Sequence, residues 1–376
     1  MAGQDGGGDL HVRVVSRSFV RASSASIVPH VLAVSNLDLA IRCGNQGAEF
    51  VVGEASVALA SLALDHGASL RRIQLPYGEE LALSVQVVSF ACGGFTVAWR
   101  TNHVMVDGSA LSRLVSSWSE LARSGTLPAG ARPSHDRREL RPRAAPSYSA
   151  ALDDELTPLD ARCQINALTT EQSFVRRLYF IEASDMERLR HAASCPGTGH
   201  RATRVQAVSA YLWKALAGAV GTADTHCRMG WWVNRRQRIA APALRAAVRN
   251  YAGNFTTFTE LVDWVEEHKT WHYIKTASAA HSFASFPIDT DFGFGRAVIA
   301  LPVSVPTARL CSGYVEIIAR PGGDGSWIAS AFLWPRLAAA LEADEQRVFR
   351  PVTAETLVWL LLESFAVDCK RCCAHY

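Results

Sequence analysis

The sequence predicts an α/β fold divided into two domains, and three observations support this prediction. Residues with the alternating period of a strand are twice followed by residues with the spacing of an amphipathic helix, over 95–123 and over 173–193. A chain of 376 residues is too long for one ordinary hydrophobic core. The stretch 125–162 is rich in Pro, Arg and Asp and has no sustained period, which is typical of a linker or crossover. We therefore expect one domain at 1–150 and a second at 151–376.

The composition is that of a folded protein with no polyanionic partner. Hydrophobic residues make up 49% of the chain and charged residues 19%, which is typical of globular rather than disordered sequences. The formal net charge is only +3, whereas nucleic-acid binding usually requires a concentrated basic face. We therefore expect no nucleic-acid partner.

Localisation signals are also absent from the sequence pattern. Residues 1–15 contain no apolar run of signal-peptide length. The longest apolar run near the end, residues 357–362, is too short to span a bilayer. Nine cysteines, an odd number without an extracellular spacing pattern, favour a reduced environment. The prediction is a cytoplasmic protein that does not enter a membrane.

The first half of the chain reads mostly as strands. Apolar positions predict strands at 10–20, 29–39, 47–57 and 81–90, and Gly93-Gly94 turns the last of these into a further strand that starts near residue 95. The second half alternates between the two periods. It predicts strands at 173–181, 229–239, 310–319 and 327–333, and helices at 183–193 (capped by Ser184), 204–217 and 334–343.

The stretch around which these elements are arranged is the predicted strand and helix at 95–123. The strand pattern breaks at Thr101-Asn102, His103 follows, and Asp107-Gly108 precede the helix, for which Asp107 and Ser109 are both plausible N-caps. The bare H-x-x-x-D spacing is weak, because about half an occurrence is expected by accident in a chain of this composition. On its own it is more typical of a hydrogen-bonded core His beside a capping Asp.

A second stretch, residues 289–297, adds the sequence DTDFGFGRA, a turn rich in Gly and Phe. Together NHVMVDG and DFGFG resemble the two signatures of the BAHD acyltransferases, plant enzymes that move an acyl group from coenzyme A to an alcohol or amine. The family's second signature is DFGWG, and Phe294 stands here in the place of its Trp.

Further blocks between residues 10 and 353 resemble the same family. They are VLAVSNLDL with Ser35 and Asp38, the NYAGN turn at 250–254, and FRPVT at 349–353. Two stretches are shorter than in the family. A helix and a Pro-Leu-Ala-Gly-Arg-like strand are missing between Ala40 and Cys43, and a second helix is expected to be lost between Thr256 and Leu261.

The resemblance implies a fold and a reaction. The fold is chloramphenicol-acetyltransferase-like, with two domains of similar topology that each contain a mixed β-sheet with flanking helices. The reaction is transfer of an acyl group to an alcohol or amine acceptor. An aromatic acyl group, such as hydroxycinnamoyl or benzoyl, is usual in the family. Acyl-coenzyme A is a co-substrate at the domain interface, no cofactor or metal is permanently bound, and the enzyme acts as a cytoplasmic monomer in plant specialised metabolism.

The resemblance also implies site residues. His103 would be the general base, because an imidazole with a pKa near neutrality suits proton removal from the acceptor. Asp107 would point away from the substrates and pair with Arg236, or alternatively with Arg238. The other supporting residues would be Gly108, where a missing Cβ allows close approach, and the turn residues Asp291, Gly293 and Gly295.

Two other functions remain open at this stage. The missing segments could leave a catalytically impaired remnant that binds ligand without turnover. His268 and His272, four residues apart, together with Cys369, Cys372 and Cys373, could instead indicate a metal-dependent hydrolase, although no third ligand is convincingly spaced.

Many family members have Ser-Trp where this chain has Ser282-Phe283, so an indole N–H for the oxyanion is missing there.

Overall fold

The computed structural model of the chain describes residues 11–23, 28–34, 39–62, 73, 81–102, 105–131, 141–150, 152–153, 157–158, 174–194, 201–221, 229–231, 258–268, 273–274, 278–282, 290–301, 314–353 and 356. Within this part of the chain, the strands form two main sheets and two separate pairs. None of the helices in this part is long and apolar enough to cross a membrane.

The first sheet contains four strands in the order β1-β4-β5-β6. They are β1 (Val12–Val20), β4 (Ala48–Ala55), β5 (Leu83–Phe90) and β6 (Phe95–Thr101). The sheet is mixed, because β4 and β5 run parallel whereas β1–β4 and β5–β6 are antiparallel. Gly93, with a φ of 81°, supplies the left-handed conformation in the predicted turn between β5 and β6. All four strands were predicted.

The predicted strand at 29–39 is wrong, because the structure divides it into two strands. β2 (His30–Val34) and β3 (Leu39–Cys43) form a separate antiparallel pair in which Val34 lies opposite Leu39. The residues between Val34 and Leu39 in the sequence include Ser, Asn and Asp, which favour turns.

The second sheet has six strands in the order β14-β8-β13-β12-β11-β9, with parallel and antiparallel neighbours. They are β8 (Val175–Ile181), β9 (Met229–Trp231), β11 (Ser278–Ser282), β12 (Tyr314–Ala319), β13 (Trp327–Leu333) and β14 (Arg350–Pro351). The two remaining short strands, β7 (Thr157–Pro158) and β10 (Tyr273–Ile274), pair with each other.

Three helices cover one face of the second sheet. They are α2 (Ala183–Ala193), α3 (Arg204–Val220) and α5 (Pro335–Ala343), and α5 begins at the predicted Pro. Their buried side chains form the main core with those of β8, β12 and β13, and include Met186, Leu189, Val208, Leu212, Leu337, Leu341, Tyr179, Ile317 and Ala329. The assignment of Ser184 as the cap of α2 is wrong. The N-cap is Glu182, and the Ser184 hydroxyl bonds to its carboxylate instead.

A helix also forms where we expected one to be lost. α4 (Phe258–Glu267) begins within the stretch between Thr256 and Leu261, so that expectation is wrong. Val262 and Trp264 of α4 are buried. Burial of these apolar side chains stabilises the helix despite the shortened sequence around it.

A second core joins the two sheets. Ala55, Val88 and Phe90 of the first sheet pack in one cluster with Leu178, Phe180 and Ile328 of the second sheet. The second sheet is therefore covered on both faces, which explains why β13 is almost continuously apolar and buried rather than alternating. The division at residue 150 remains a prediction.

Candidate active site

The site is built where β6 ends and α1 (Gly108–Ser124) begins. β6 stops at Thr101, and the carbonyl oxygen of Asn102 accepts hydrogen bonds from the amides of Met105 at 2.9 Å and Val106 at 3.1 Å. These bonds hold Asn102 close to the residues that precede α1. His103 follows Asn102 in the sequence but lies outside the described residues, so its role as base stays a prediction.

Asp107 caps the helix that follows. Its backbone is extended (φ −83°, ψ 170°) and its carboxylate accepts a hydrogen bond of 2.8 Å from the amide of Ala110. Of the two predicted caps, the structure therefore uses Asp107, while Ser109 lies inside the helix. A carboxylate at this position also interacts favourably with the positive end of the helix dipole.

The remaining predicted residues around Asp107 are placed only in part. Gly108 is the first residue of α1. Arg236 and Arg238 lie outside the described residues, so the pairing of Asp107 with either guanidinium stays a prediction. Ser282 lies in β11, opposite Ile317 of β12.

The DFGFG turn is closed by its own Asp. Oδ1 of Asp291 accepts hydrogen bonds from the amides of Gly293 at 2.8 Å and Gly295 at 3.2 Å. Both glycines have positive φ values, 102° and 104°, which side chains with a Cβ rarely tolerate. The signature thus specifies one compact turn, and Asp291 binds backbone within it.

This turn packs on both elements that border His103 in the sequence. The ring of Phe292 stacks on Trp99 of β6 with centroids 6.1 Å apart, and meets Trp118 of α1 edge-on at 5.4 Å. Phe294, in the place of the family's Trp, is 64% exposed and contacts Phe95 edge-on at 5.2 Å. An aromatic cluster therefore holds the DFGFG turn against the elements on both sides of the NHVMVDG signature.

A polar contact accompanies these rings, and our sequence reasoning missed it. The hydroxyl of Ser119 in α1 donates to the carbonyl oxygen of Asp291 at 3.1 Å and accepts from its amide at 3.2 Å. Ser119 is 7% exposed. A small polar residue on the buried face of a predicted amphipathic helix is the only signal that the sequence offered for it.

A second polar cluster fixes the crossover to α4. The carboxylate of Asp263, fully buried as a side chain, accepts hydrogen bonds from the amides of Arg143 at 2.8 Å and Ser147 at 3.1 Å, and from Nε of Arg143 at 2.5 Å. Burial acts to raise the pKa of Asp263. The two amides and the guanidinium outweigh it and hold this pKa below its ordinary value.

A metal site was one of the alternatives, and the described part of the chain contains no candidate for one. There, no group of three or more His, Cys, Asp or Glu side chains could hold a metal ion. The ring of His268 stacks on Trp264 at 4.3 Å, and its Nδ1 lies 2.8 Å from the Trp264 carbonyl oxygen. His272 and the C-terminal cysteines lie outside the described residues.

The chain is similar in sequence to several known proteins. The family described as "Transferase family" matches residues 32–283. A fatty alcohol:caffeoyl-CoA acyltransferase of Arabidopsis thaliana is 24% identical over 315 residues, which are 71% of each chain. A (Z)-3-hexen-1-ol acetyltransferase of the same plant is 30% identical over 59% of this chain and 49% of its own. Anthranilate N-benzoyltransferase protein 1 of Dianthus caryophyllus is 27% identical over 62% of this chain and 55% of its own. The chain thus spans only about half the length of the last two.

Solved structures share the fold. The crystal structure of vinorine synthase aligns with a TM-score of 0.60 and 14% identity over 92% of this chain and all of the other. TRI101 of F. sporotrichioides, crystallised with coenzyme A and T-2, aligns with a TM-score of 0.64 and 13% identity over 91% of this chain and 87% of the other.

The fold and the two connected signatures define a coenzyme-A-dependent acyltransferase of the two-domain, chloramphenicol-acetyltransferase-like type. Within this class, the match over residues 32–283 shows the family. The chain belongs to the Transferase family, the BAHD acyltransferases.

Proposed function

We propose that the protein transfers an aromatic acyl group, hydroxycinnamoyl or benzoyl, from acyl-coenzyme A to an alcohol or amine, with His103 as general base. The observation that carries this proposal is the contact of the DFGFG turn with both elements that border His103. Phe292 of the turn contacts Trp99 in β6 and Trp118 in α1. If the H-x-x-x-D spacing were accidental, we would not expect the elements on both sides of it to contact the DFGFG turn.

The reaction needs one base and no covalent enzyme intermediate. Nε2 or Nδ1 of His103 takes the proton from the hydroxyl or amino group of the acceptor substrate. At the same time, the oxygen or nitrogen of that group forms a bond to the thioester carbonyl carbon. The tetrahedral intermediate then breaks the carbon–sulfur bond. The coenzyme-A thiolate leaves and takes the proton from the imidazolium, so the imidazole returns to its neutral form.

The supporting residues act on the geometry of this step. The Asp107 carboxylate caps α1 four residues after His103 in the sequence, 2.8 Å from the Ala110 amide. We further propose that it pairs with Arg236, the guanidinium that the resemblance to the family implies. Gly108, at the first position of α1, leaves space for substrate beside the helix N-terminus. Asp291, Gly293 and Gly295 hold the turn that supports both flanks.

The donor and acceptor classes are supported by the names of the relatives. Two of the three relatives are named for caffeoyl and benzoyl groups, with a fatty alcohol and anthranilate as the acceptors in their names, and the third is named for an acetyl group. Oxygen and nitrogen acceptors are thus both represented. For this chain we propose the aromatic donor class and leave the acceptor as an alcohol or amine. We propose a cytoplasmic monomer that binds no nucleic acid.

The test is release of free coenzyme-A thiol by the purified full chain. Caffeoyl-, feruloyl- and benzoyl-coenzyme A are each offered with a panel of fatty alcohols, aromatic amines and polyamines, and acetyl-coenzyme A is included as a non-aromatic donor. We expect acceptor-dependent thiol release with at least one aromatic donor, together with the ester or amide product by mass spectrometry. Thiol release with acetyl-coenzyme A alone would contradict the donor class. No acceptor-dependent release from a folded, monodisperse sample would contradict the proposed function.

A further inference from the structure

The contact between Ser119 and Asp291 uses the single donor and one of the two acceptor lone pairs of a short side chain. A Ser hydroxyl has one proton to donate, and here it goes to the Asp291 carbonyl oxygen at 3.1 Å, while its oxygen accepts from the amide of the same residue at 3.2 Å. Two bonds to one backbone unit fix both the distance and the orientation of the turn relative to α1. The residue is 7% exposed, so water competes little for these bonds.

A second Ser on the same helix face makes no such connection. Ser112, Val115 and Ser119 are the buried residues of α1. The hydroxyl of Ser112 donates to the carbonyl oxygen of Ser109, within the helix itself. The two serines therefore share residue type, helix and burial, and they differ in whether the hydroxyl reaches another element.

The turn that Ser119 holds also contacts β6. Phe292 stacks on Trp99, two residues before the end of β6, and meets Trp118, the neighbour of Ser119. The two elements that border residues 102–107 are thereby tied to one another through residues 291–292. Because α1 is a rigid rod, a shift at Ser119 is carried to Gly108, roughly 16 Å away at 1.5 Å per residue.

We propose that Ser119 is a positioning residue for the acyl transfer. Through Asp291 it sets the position of α1 relative to β6, the two elements between which His103 lies in the sequence. The catalytic consequence of this inference rests on the proposed function, whereas its structural consequence does not. A displacement of the base well below 1 Å is enough to slow a reaction severalfold.

The structural consequence is tested by hydrogen–deuterium exchange on the full chain. Ser119→Ala removes both bonds to Asp291, and Ala is a better helix former than Ser, so α1 itself is retained. We expect amides 101–107 to exchange about three to ten times faster than in the parent, together with those of 291–295. The matched control Ser112→Ala should leave both segments unchanged. Faster exchange confined to 291–295, or equal effects of the two variants, would overturn the proposal.

The catalytic consequence is tested by kinetics on the same proteins. We expect Ser119→Ala to lower kcat about three- to thirtyfold with little change in either KM, Ser112→Ala to stay within twofold of the parent, and Ser119→Thr, which keeps the hydroxyl, to recover most of the loss. Ser119→Cys, a closer mimic in size, serves if the Ala variant does not fold. An unchanged kcat with a lowered melting temperature would overturn the positioning role. A parent without turnover would instead contradict the proposed function and leave the exchange result to judge Ser119.

Discussion

Phe292 stacks on Trp99 with the ring planes inclined by only 17°, although the two residues belong to opposite halves of the chain. This contact links the DFGFG turn to the strand that ends two residues after Trp99. The turn therefore reaches the candidate active site through packing, while its own carboxylate is occupied by the amides of Gly293 and Gly295. Its role in the proposed reaction is support of the residues that border His103.

Removal of the Phe292 ring should destabilise the protein and lower activity together. Phe292→Ala removes the stacked contact with Trp99 and the edge contact with Trp118, and aromatic pairs contribute about 0.5–1.5 kcal/mol each beyond the area they bury. With the lost burial of a partly exposed ring, we expect a loss of about 2–3 kcal/mol in the free energy of unfolding, measured by denaturant titration.

The matched control for this ring lies two residues further on. Phe294 is 64% exposed, so Phe294→Ala should lower the free energy of unfolding by less than about 1 kcal/mol. Phe294→Trp, which restores the family's residue, should be close to neutral. Equal destabilisation by Phe292→Ala and Phe294→Ala would show that the contacts with the two tryptophans do not hold the turn.

His103→Ala should lower turnover by a factor of about 10² to 10⁴, the usual contribution of a positioned general base. The melting temperature and the KM for acyl-coenzyme A should change little, because the proton transfer is lost and the binding surface is not. His191→Ala, at an exposed position of α2, is the control and should retain parent activity. Parent-like turnover in His103→Ala would refute the base assignment.

Two substitutions of Asp107 separate the contribution of its capping hydrogen bond from the contribution of its negative charge. Asp107→Ala removes the hydrogen bond to Ala110 and should lower the free energy of unfolding by about 1 kcal/mol from the cap alone. Asp107→Asn keeps a capping oxygen, so a large loss of stability that accompanies the loss of turnover in this variant reports the proposed pair with Arg236.

Thr203→Ala supplies the control for capping in general, because Thr203 accepts from the amide of Gln206 at the start of α3, outside the candidate site. It should lower the melting temperature without changing kcat. If Asp107→Asn melts at the parent temperature yet has no turnover, Asp107 takes part in the chemistry and the supporting role is wrong.

The buried carboxylate of Asp263 predicts a specific acid sensitivity. Its hydrogen bonds lower its pKa in the folded protein, so it stabilises the fold above its ordinary pKa, about 3.9. This stabilisation is lost as the pH falls through the lower folded pKa. Asp263→Asn should therefore reduce the melting temperature at pH 7, and the difference from the parent should shrink as the pH is lowered below about 4. A pH-independent difference would contradict the assigned cause.

The sequence could predict the strand-and-helix units that surround the site, because their periods are local. The strand β6, the helix α1 and its cap Asp107 all follow from spacing and capping preferences within about thirty residues of chain. The division of residues 29–39 could not be predicted, since a strand-forming composition does not show where a chain reverses and pairs with itself. Neither could the contact of Ser119 with Asp291, because no local pattern encodes a hydrogen bond between distant segments.

The first strand leaves apolar surface uncovered. β1 lies at an edge of the first sheet as described, and four of its large apolar side chains are 43–60% exposed, namely Val14, Val15, Phe19 and Val20. Exposed apolar strands at a sheet edge promote association between chains. Its two arginines, Arg13 and Arg17, form ion pairs with Glu54 and Glu49 of β4, so their charge protects the edge less than free charges would.

We therefore predict that the monomer aggregates through β1 when it is heated or concentrated, and that a charge on this strand prevents it. Phe19→Lys places an ammonium group at a half-exposed position near the Glu49 carboxylate, where it should not disturb the core. Light scattering during heating should begin at a higher temperature or protein concentration than in the parent, while the free energy of unfolding stays within about 0.5 kcal/mol. Val88→Lys, at a position only 2% exposed, is the contrasting control and should unfold the sheet and increase scattering. A parent that stays monomeric at high concentration, or a Phe19→Lys variant that aggregates as readily, would show that the exposed strand is harmless.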